Sequence, residues 1–168
     1  LGQEWKYIPF IAETNPGVRA RGYFKDNMIN ILIVGKYSRR KRILESIELF
    51  NELSKNRSDL RLTIVGTVLE KDVFEKAKSF ESKNPNIRIL NDVPHDQMHE
   101  IYLNHDVFIM PAINESASYS QLEAMSFGLA ILCCSDNGTA NYVKDGLNGF
   151  IFNKGDYENL MKDKLKKL

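Results

Sequence analysis

A disulfide framework is the first thing this sequence lacks. Its two cysteines are neighbours, Cys133 and Cys134, inside an apolar run, which suits neither an ordinary disulfide pattern nor the spacing of a metal site. Reduced thiols of this kind fit a cytoplasmic chain. An excess of one charge sign is also missing. The 23 Lys and Arg residues against 22 Asp and Glu give a net charge of +1, so the overall electrostatics provide no attraction for nucleic acid, and any anion site must be local. No apolar run approaches the roughly 18 residues that a membrane span requires. The N-terminus shows no basic region followed by a hydrophobic stretch and a cleavage site, so the expectation is a soluble chain without an export signal. There is no internal repeat and no low-complexity tract. No segment spells a Walker loop or the dinucleotide glycine pattern, which argues against P-loop nucleotide binding and ordinary NAD binding.

What is present fits one globular domain: 168 residues, 43% hydrophobic and 27% charged, are enough to bury a continuous core. From residue 28 short β-branched runs alternate with longer segments of helical period, the pattern of a parallel α/β sheet. The strands are MINILIVG (28–35), LRLTIVG (60–66), NIRIL (86–90), DVFIMPA (106–112), LAILCC (129–134) and GFIF (149–152). Between them the pattern predicts a helix over 42–55, with Ile43, Ile47, Phe50 and Leu53 on one face, and a second over about 69–83. A short helix after Pro94, one from about Ser118 to Phe127 closed by Gly128, another within 138–146 and a last one from about Asp156 complete the series. Near-continuous apolar strands imply a sheet covered on both faces, and right-handed crossovers then give a doubly wound, Rossmann-like fold. Residues 1–27, with one candidate strand and then a Pro, Gly and Arg stretch, read as a linker or interdomain arm; residues 28–168 form the domain proper.

In an open α/β sheet ligands bind beyond the carboxyl ends of the strands. Three segments fall on that rim: GKYSRRKR (35–42), GTVLE (66–70) and NESASYS (114–120). The third leads into a helix N-terminus, where unsatisfied amides and the helix dipole favour a phosphate. Lys36, Arg39, Arg40, Lys41 and Arg42 supply cations on the same rim, each charge-assisted contact contributing about 1.5–3 kcal/mol. Glu123 lies between Leu122 and Ala124 inside a helix that should pack on the sheet, where a carboxylate asks for a hydroxyl or a cation. A ribose diol is one suitable partner. The alternative for the basic cluster is a solvated helix start. His95 and His99 stand one helical turn apart, as in a zinc protease helix, but Asp96 replaces the usual Glu and no third ligand is evident, so a surface helix is the expectation. The last helix is basic and amphipathic. It offers peripheral contact with an anionic membrane, with a solvated face as the alternative.

NILIVGKYSRRKRILESIELFNEL, LRLTIVG, VFIMPAINESASYSQLEAMSFG and NGTANYVKDGLNGFIF together resemble the C-terminal, donor-binding domain of the large retaining GT-B glycosyltransferase family. That family includes sucrose synthase and bacterial lipopolysaccharide and capsule enzymes. The resemblance spans about residues 29–168 in the right order and spacing. It implies one half of a GT-B fold that holds a nucleotide diphosphate sugar and serves transfer to a glycan or lipid-linked acceptor. In that likeness Glu123 binds the ribose hydroxyls, Glu115 is the catalytic-site carboxylate against the donor sugar, and amides around Ser118 and Tyr119 hold the diphosphate. Lys41 matches the phosphate-binding lysine six residues after Gly35, Lys36 stands where arginine is usual, and Asp92 and Val93 correspond to the base pocket.

The family keeps the anomeric configuration and is usually independent of metal, so no cofactor is expected; the expected location is the cytoplasm, at the inner face of the membrane for a lipid-linked acceptor. Polysaccharide biosynthesis is its common setting. The expected hexosyl transfer needs an N-terminal acceptor domain, so this chain alone should bind nucleotide and transfer nothing. Several positions depart from the pattern. Ser116, Ala117 and Ser118 replace glycine, aromatic and glycine; Arg42 replaces a glycine; Asn141 replaces a glutamate; Leu129 and Ala130 lack a proline. A GT-B nucleotide-sugar epimerase and a non-catalytic, flavodoxin-like partner-binding domain are the alternative readings.

Overall fold

The computed structural model describes residues 22–153 together with Gly155 and Asp163. The first 21 residues of the expected arm and, Asp163 apart, the helix expected from Asp156 lie outside the described residues. Six strands, β1 (Ile29–Val34), β2 (Leu60–Gly66), β3 (Ile87–Asn91), β4 (Val107–Met110), β5 (Ala130–Cys134) and β6 (Gly149–Phe152), alternate with α1 (Ile43–Ser54), α2 (Lys71–Glu81), α3 (His95–Leu103) and α4 (Tyr119–Ser126). All strand pairs are parallel and the sheet order is β3-β2-β1-β4-β5-β6. This is the doubly wound fold that the strand pattern implies.

Each face of the sheet carries its own core. On one, Ile31, Ile33, Ile64 and Ile109 meet Ile43, Ile47, Phe50 and Leu53 of α1 and Val73 and Ala77 of α2. On the other, Leu32, Val65, Phe108 and Ile131 meet Met98 and Tyr102 of α3 and Ala124 and Phe127 around α4. Burial of each large aliphatic or aromatic side chain contributes about 1.5–3 kcal/mol, so the apolar runs that define the strands also supply the main driving force. Gly128 closes α4 at φ 77, the left-handed conformation that ends helices at little cost for glycine.

The winding positions the site. From β1 the chain steps outward through β2 to β3, then returns to the opposite flank of β1 as β4, pairing Ile31 with Val107 and Leu32 with Phe108. The switch of direction between β1 and β4 opens a crevice at their carboxyl ends, where the loops 35–42 and 111–118 face each other.

Two segments differ from expectation. The helix expected within 138–146 is a three-residue 3-10 turn, Ala140–Tyr142. Asn137 takes the Thr139 amide at 3.1 Å, while Asn148 accepts from the Lys144 amide at 2.7 Å and donates to the Tyr142 carbonyl at 3.1 Å. Side-chain amides thus claim the backbone groups that a helix would have used. Arg42 enters α1 at φ 52, in the left-handed region, which costs a non-glycine residue about 1–2 kcal/mol. A glycine is what the resemblance placed there. Arg42→Gly is therefore expected to raise stability by roughly 0.5–1 kcal/mol in urea unfolding, the remainder being lost to glycine's greater unfolded-state freedom. A fall in the midpoint would show that the Arg42 contact to Glu45, 3.9 Å away, outweighs the strain. No helix among the described residues is long and apolar enough to cross a membrane.

Candidate functional site

The loop after β1 is pinned from below. Tyr37 is fully buried, its hydroxyl 2.7 Å from the Leu90 carbonyl and 3.0 Å from that of Ile64, and its ring meets Phe74 edge-on at 4.9 Å. Burial pushes this phenol well above its ordinary pKa, so it remains a neutral donor clamped under β2 and β3. A 3-10 turn, Arg39–Lys41, follows. Arg39, expected among the cations of the rim, instead pairs with Glu70 and Asp72 at the start of α2, and its amide donates to Glu70 Oε1 at 3.0 Å. Two carboxylates beside a helix N-terminus outcompete the crevice for it.

Lys41 goes the other way. Its alkyl stem lies over Gly35, within about van der Waals reach of where a Cβ would stand, 3.7 Å from Cδ. Its Nζ meets Glu115 Oε2 at 2.6 Å, and Arg40 Nη1 meets the same oxygen at 3.1 Å. The side chains of Lys41 and Glu115 are only 15% and 11% exposed, against 61% for Arg40. Solvent screens the first pair weakly, so it is the principal ionic contact of the crevice.

The carboxylate is held there by its backbone. Asn114 takes φ 55, and the Glu115 carbonyl accepts the Gly138 amide at 2.7 Å. A Cβ at Gly138 would stand 1.9 Å from the Ser116 carbonyl oxygen, so this approach tolerates glycine alone. Buried Ser118 caps α4, its Oγ accepting the Gln121 amide at 3.2 Å. Gln121 is itself fully buried: its amide group donates to the Thr139 carbonyl at 3.0 Å and accepts from Asn137 Nδ2 at 3.0 Å, while Asn137 Oδ1 accepts from Thr139 Oγ1 at 2.8 Å. This closed polar network ties α4 to the loop after β5, and through Gly138 to Glu115. Ser120 reaches across the crevice, Oγ to the Val34 carbonyl at 3.3 Å.

Glu123 is half-buried rather than buried, and the hydroxyl that it asks for is supplied by Tyr102 of α3, Oη to Oε2 at 2.7 Å. Burial, reinforced by that carboxylate, raises the Tyr102 phenol far above its usual range. Lys36 and Tyr119 are exposed on the rim, as is Asp92, which leaves β3 at φ 51 beside half-buried Val93. The fold thus brings Lys41, Glu115 and the Ser118 cap together at the crevice, and sets Glu123 one helical turn further along α4. Sequence reasoning missed Tyr37, Tyr102, the Gln121 network and Gly138; a glutamine on the buried side of an apolar helix was the one local signal present.

His95 and His99 are exposed on α3, where His99 packs edge-on against Phe127 at 4.9 Å. Among the described residues no group of three or more His, Cys, Asp or Glu side chains converges as a metal site would. Burial pushes Cys133 up to about 12 and raises Cys134 as well, so both thiols are protonated core residues at neutral pH.

A family model described as glycosyl transferases group 1 matches residues 18–168. The chain is 30% identical over 157 residues to a lipopolysaccharide 1,2-N-acetylglucosaminetransferase of Salmonella typhimurium, covering 84% of this chain and 40% of that protein. It is 28% identical over 135 residues to an alpha-monoglucosyldiacylglycerol synthase of Acholeplasma laidlawii, covering 80% and 34%. Among solved structures it superposes on the C-terminal domain of a glycosyl transferase group 1 family protein from Francisella tularensis with a TM-score of 0.71 and 20% identity, covering 94% of this chain and 83% of that one. The catalytic domain of starch synthase IV from Arabidopsis thaliana, bound to ADP and acarbose, gives a TM-score of 0.71 at 20% identity over 88% of this chain and 32% of that one. The chain spans about two-fifths or less of the length of these curated relatives.

Proposed function

We propose, from the premise that this chain belongs to the glycosyl transferases group 1 family, that it is the donor-binding half of a retaining glycosyltransferase. Its ligand is then a nucleotide diphosphate sugar, and its acceptor a glycan or a lipid-linked acceptor. The observation that carries this reading is the convergence of Lys41, Glu115 and the N-terminus of α4 on the crevice between β1 and β4. A cation, a carboxylate and a set of helix amides within one loop's reach match the three parts of a sugar diphosphate: anionic bridge, hydroxylated ring and leaving oxygens.

In this reading the diphosphate sits against Lys41, Lys36 and the first amides of α4, and Glu115 faces the sugar. Glu123 takes the ribose hydroxyls while Tyr102 orients its carboxylate. The base lies toward Asp92 and Val93. ADP in the similar starch synthase structure supports a nucleotide as ligand of this kind of domain. The sugar–oxygen bond to the diphosphate breaks with its electron pair moving onto the leaving oxygen, where charge develops. Preorganised lysines and helix amides stabilise that charge, so side chains and backbone together neutralise the leaving group. The acceptor oxygen then bonds to the same carbon and gives its proton to the departing diphosphate.

The names of the curated relatives, a lipopolysaccharide N-acetylglucosaminetransferase and a monoglucosyldiacylglycerol synthase, support an acceptor that carries a lipid; such an acceptor would be met at the inner face of the membrane. Transfer needs the rest of such an enzyme; the chain by itself binds donor. Calorimetric titration of the chain with UDP, GDP, ADP and CMP tests the reading. One nucleotide is expected to bind, and Glu123→Ala to weaken it about tenfold because the ribose hydroxyls are left without their acceptor. A folded chain that binds none of the four would refute the proposal.

A further inference from the structure

In the function just proposed Glu115 meets the sugar, yet its carboxylate already has two partners. Lys41 Nζ lies at 2.6 Å and Arg40 Nη1 at 3.1 Å from the same oxygen, Oε2. Lys41 is the cation that a diphosphate on the α4 N-terminus would take. A carboxylate and a diphosphate cannot both sit on Lys41 without bringing like charges within a few ångström of each other, in a crevice where Lys41 and Glu115 are only 15% and 11% exposed. Something must move Glu115 off when donor binds. The donor carries the means, because its sugar hydroxyls are hydrogen-bond donors that can replace the two cations.

We infer that Glu115 is a built-in competitor for the diphosphate seat, resting on Lys41 and Arg40 when no sugar is present and transferring to the sugar hydroxyls when intact donor arrives. The inference rests on the donor-domain reading. Arg40, which no other step uses, becomes the positioning residue that holds Glu115 in its resting place. Substrate and product then differ at one side chain. The intact donor compensates Glu115 with hydroxyls; the nucleoside diphosphate left after transfer does not, so the carboxylate returns to Lys41 and expels it. Release of a tightly held anionic product is a step that commonly limits turnover, and this contact accelerates it.

The test compares the wild-type chain with Glu115→Gln, which keeps shape and hydrogen-bonding capacity but removes the charge. Inorganic pyrophosphate serves as a base-independent probe, alongside UDP, GDP and ADP and their glucose conjugates. Loss of the competitor is expected to tighten pyrophosphate and the recognised nucleoside diphosphate by about tenfold, and to weaken the corresponding sugar conjugate or leave it unchanged, so the preference shifts toward product. Glu115→Ala should show the same tightening of pyrophosphate, which guards against a misfolded glutamine variant. If wild type binds a diphosphate and neither variant binds it more tightly, the competitor is ruled out while the donor reading stands. If no diphosphate binds wild type or either variant, both ideas fall together.

Discussion

Gly138→Ala is expected to cost about 2–3 kcal/mol of stability, and with it most of the affinity for a nucleoside diphosphate. The added methyl would sit 1.9 Å from the Ser116 carbonyl oxygen and 2.8 Å from its carbon, far inside van der Waals distance, and the obstructing atoms are backbone. No rotamer relieves such a clash. Either the loop after β5 or the loop 114–118 must shift, and the first is fixed by the buried Gln121, Asn137 and Thr139 network. The yielding partner is therefore the segment that carries Glu115, whose carbonyl would lose the Gly138 amide now at 2.7 Å. Urea unfolding and pyrophosphate titration of the same variant measure both effects. A variant with wild-type midpoint and affinity would mean that the two loops are not coupled as the geometry requires.

That coupling marks where the sequence stops being informative. Strands buried on both faces read as apolar runs, so β2 and β6 appear at 60–66 and 149–152 with the bounds read from the sequence alone. The α1 face of Ile43, Ile47, Phe50 and Leu53 follows from period alone, because every one of these residues is buried against the sheet. The rim was legible as a place, since the topology of a doubly wound sheet fixes which loops share an edge. Partners across that rim were not. Lys41 meets Glu115 74 residues away, Glu123 meets Tyr102 21 residues away, and Arg39 abandons the crevice for Glu70 31 residues away. Each pairing depends on which side chain a loop turns inward, and no local period records that. The missed turn at 138–146 has the same origin: asparagine side chains at 137 and 148 satisfy the backbone from outside the segment that looked helical.

Lys41→Ala should reduce diphosphate affinity by roughly 10- to 150-fold, the equivalent of about 1.5–3 kcal/mol for removing a charge-assisted hydrogen bond from a weakly screened site. Arg39→Ala, two residues earlier in the same basic run, is its control. Both substitutions remove one positive charge from the loop after β1, so a binding surface made of diffuse basic charge would respond alike to the two. The structure separates them. Arg39 faces away, paired with Glu70 and Asp72 at the start of α2, whereas the Lys41 stem crosses Gly35 and its ammonium enters the crevice. Arg39→Ala is therefore expected to leave affinity near wild type. Lys41→Ala also strips Glu115 of its nearer partner, leaving only exposed Arg40 at 3.1 Å, so a moderate drop in stability should accompany the weaker binding. Titration at two salt concentrations sharpens the contrast: a surface field would fade alike in every variant as salt rises, whereas a bond specific to Lys41 keeps the two variants apart. Equal weakening in the Lys41 and Arg39 variants would assign the anion to the basic loop as a whole and remove Lys41 from the place proposed for it opposite the diphosphate.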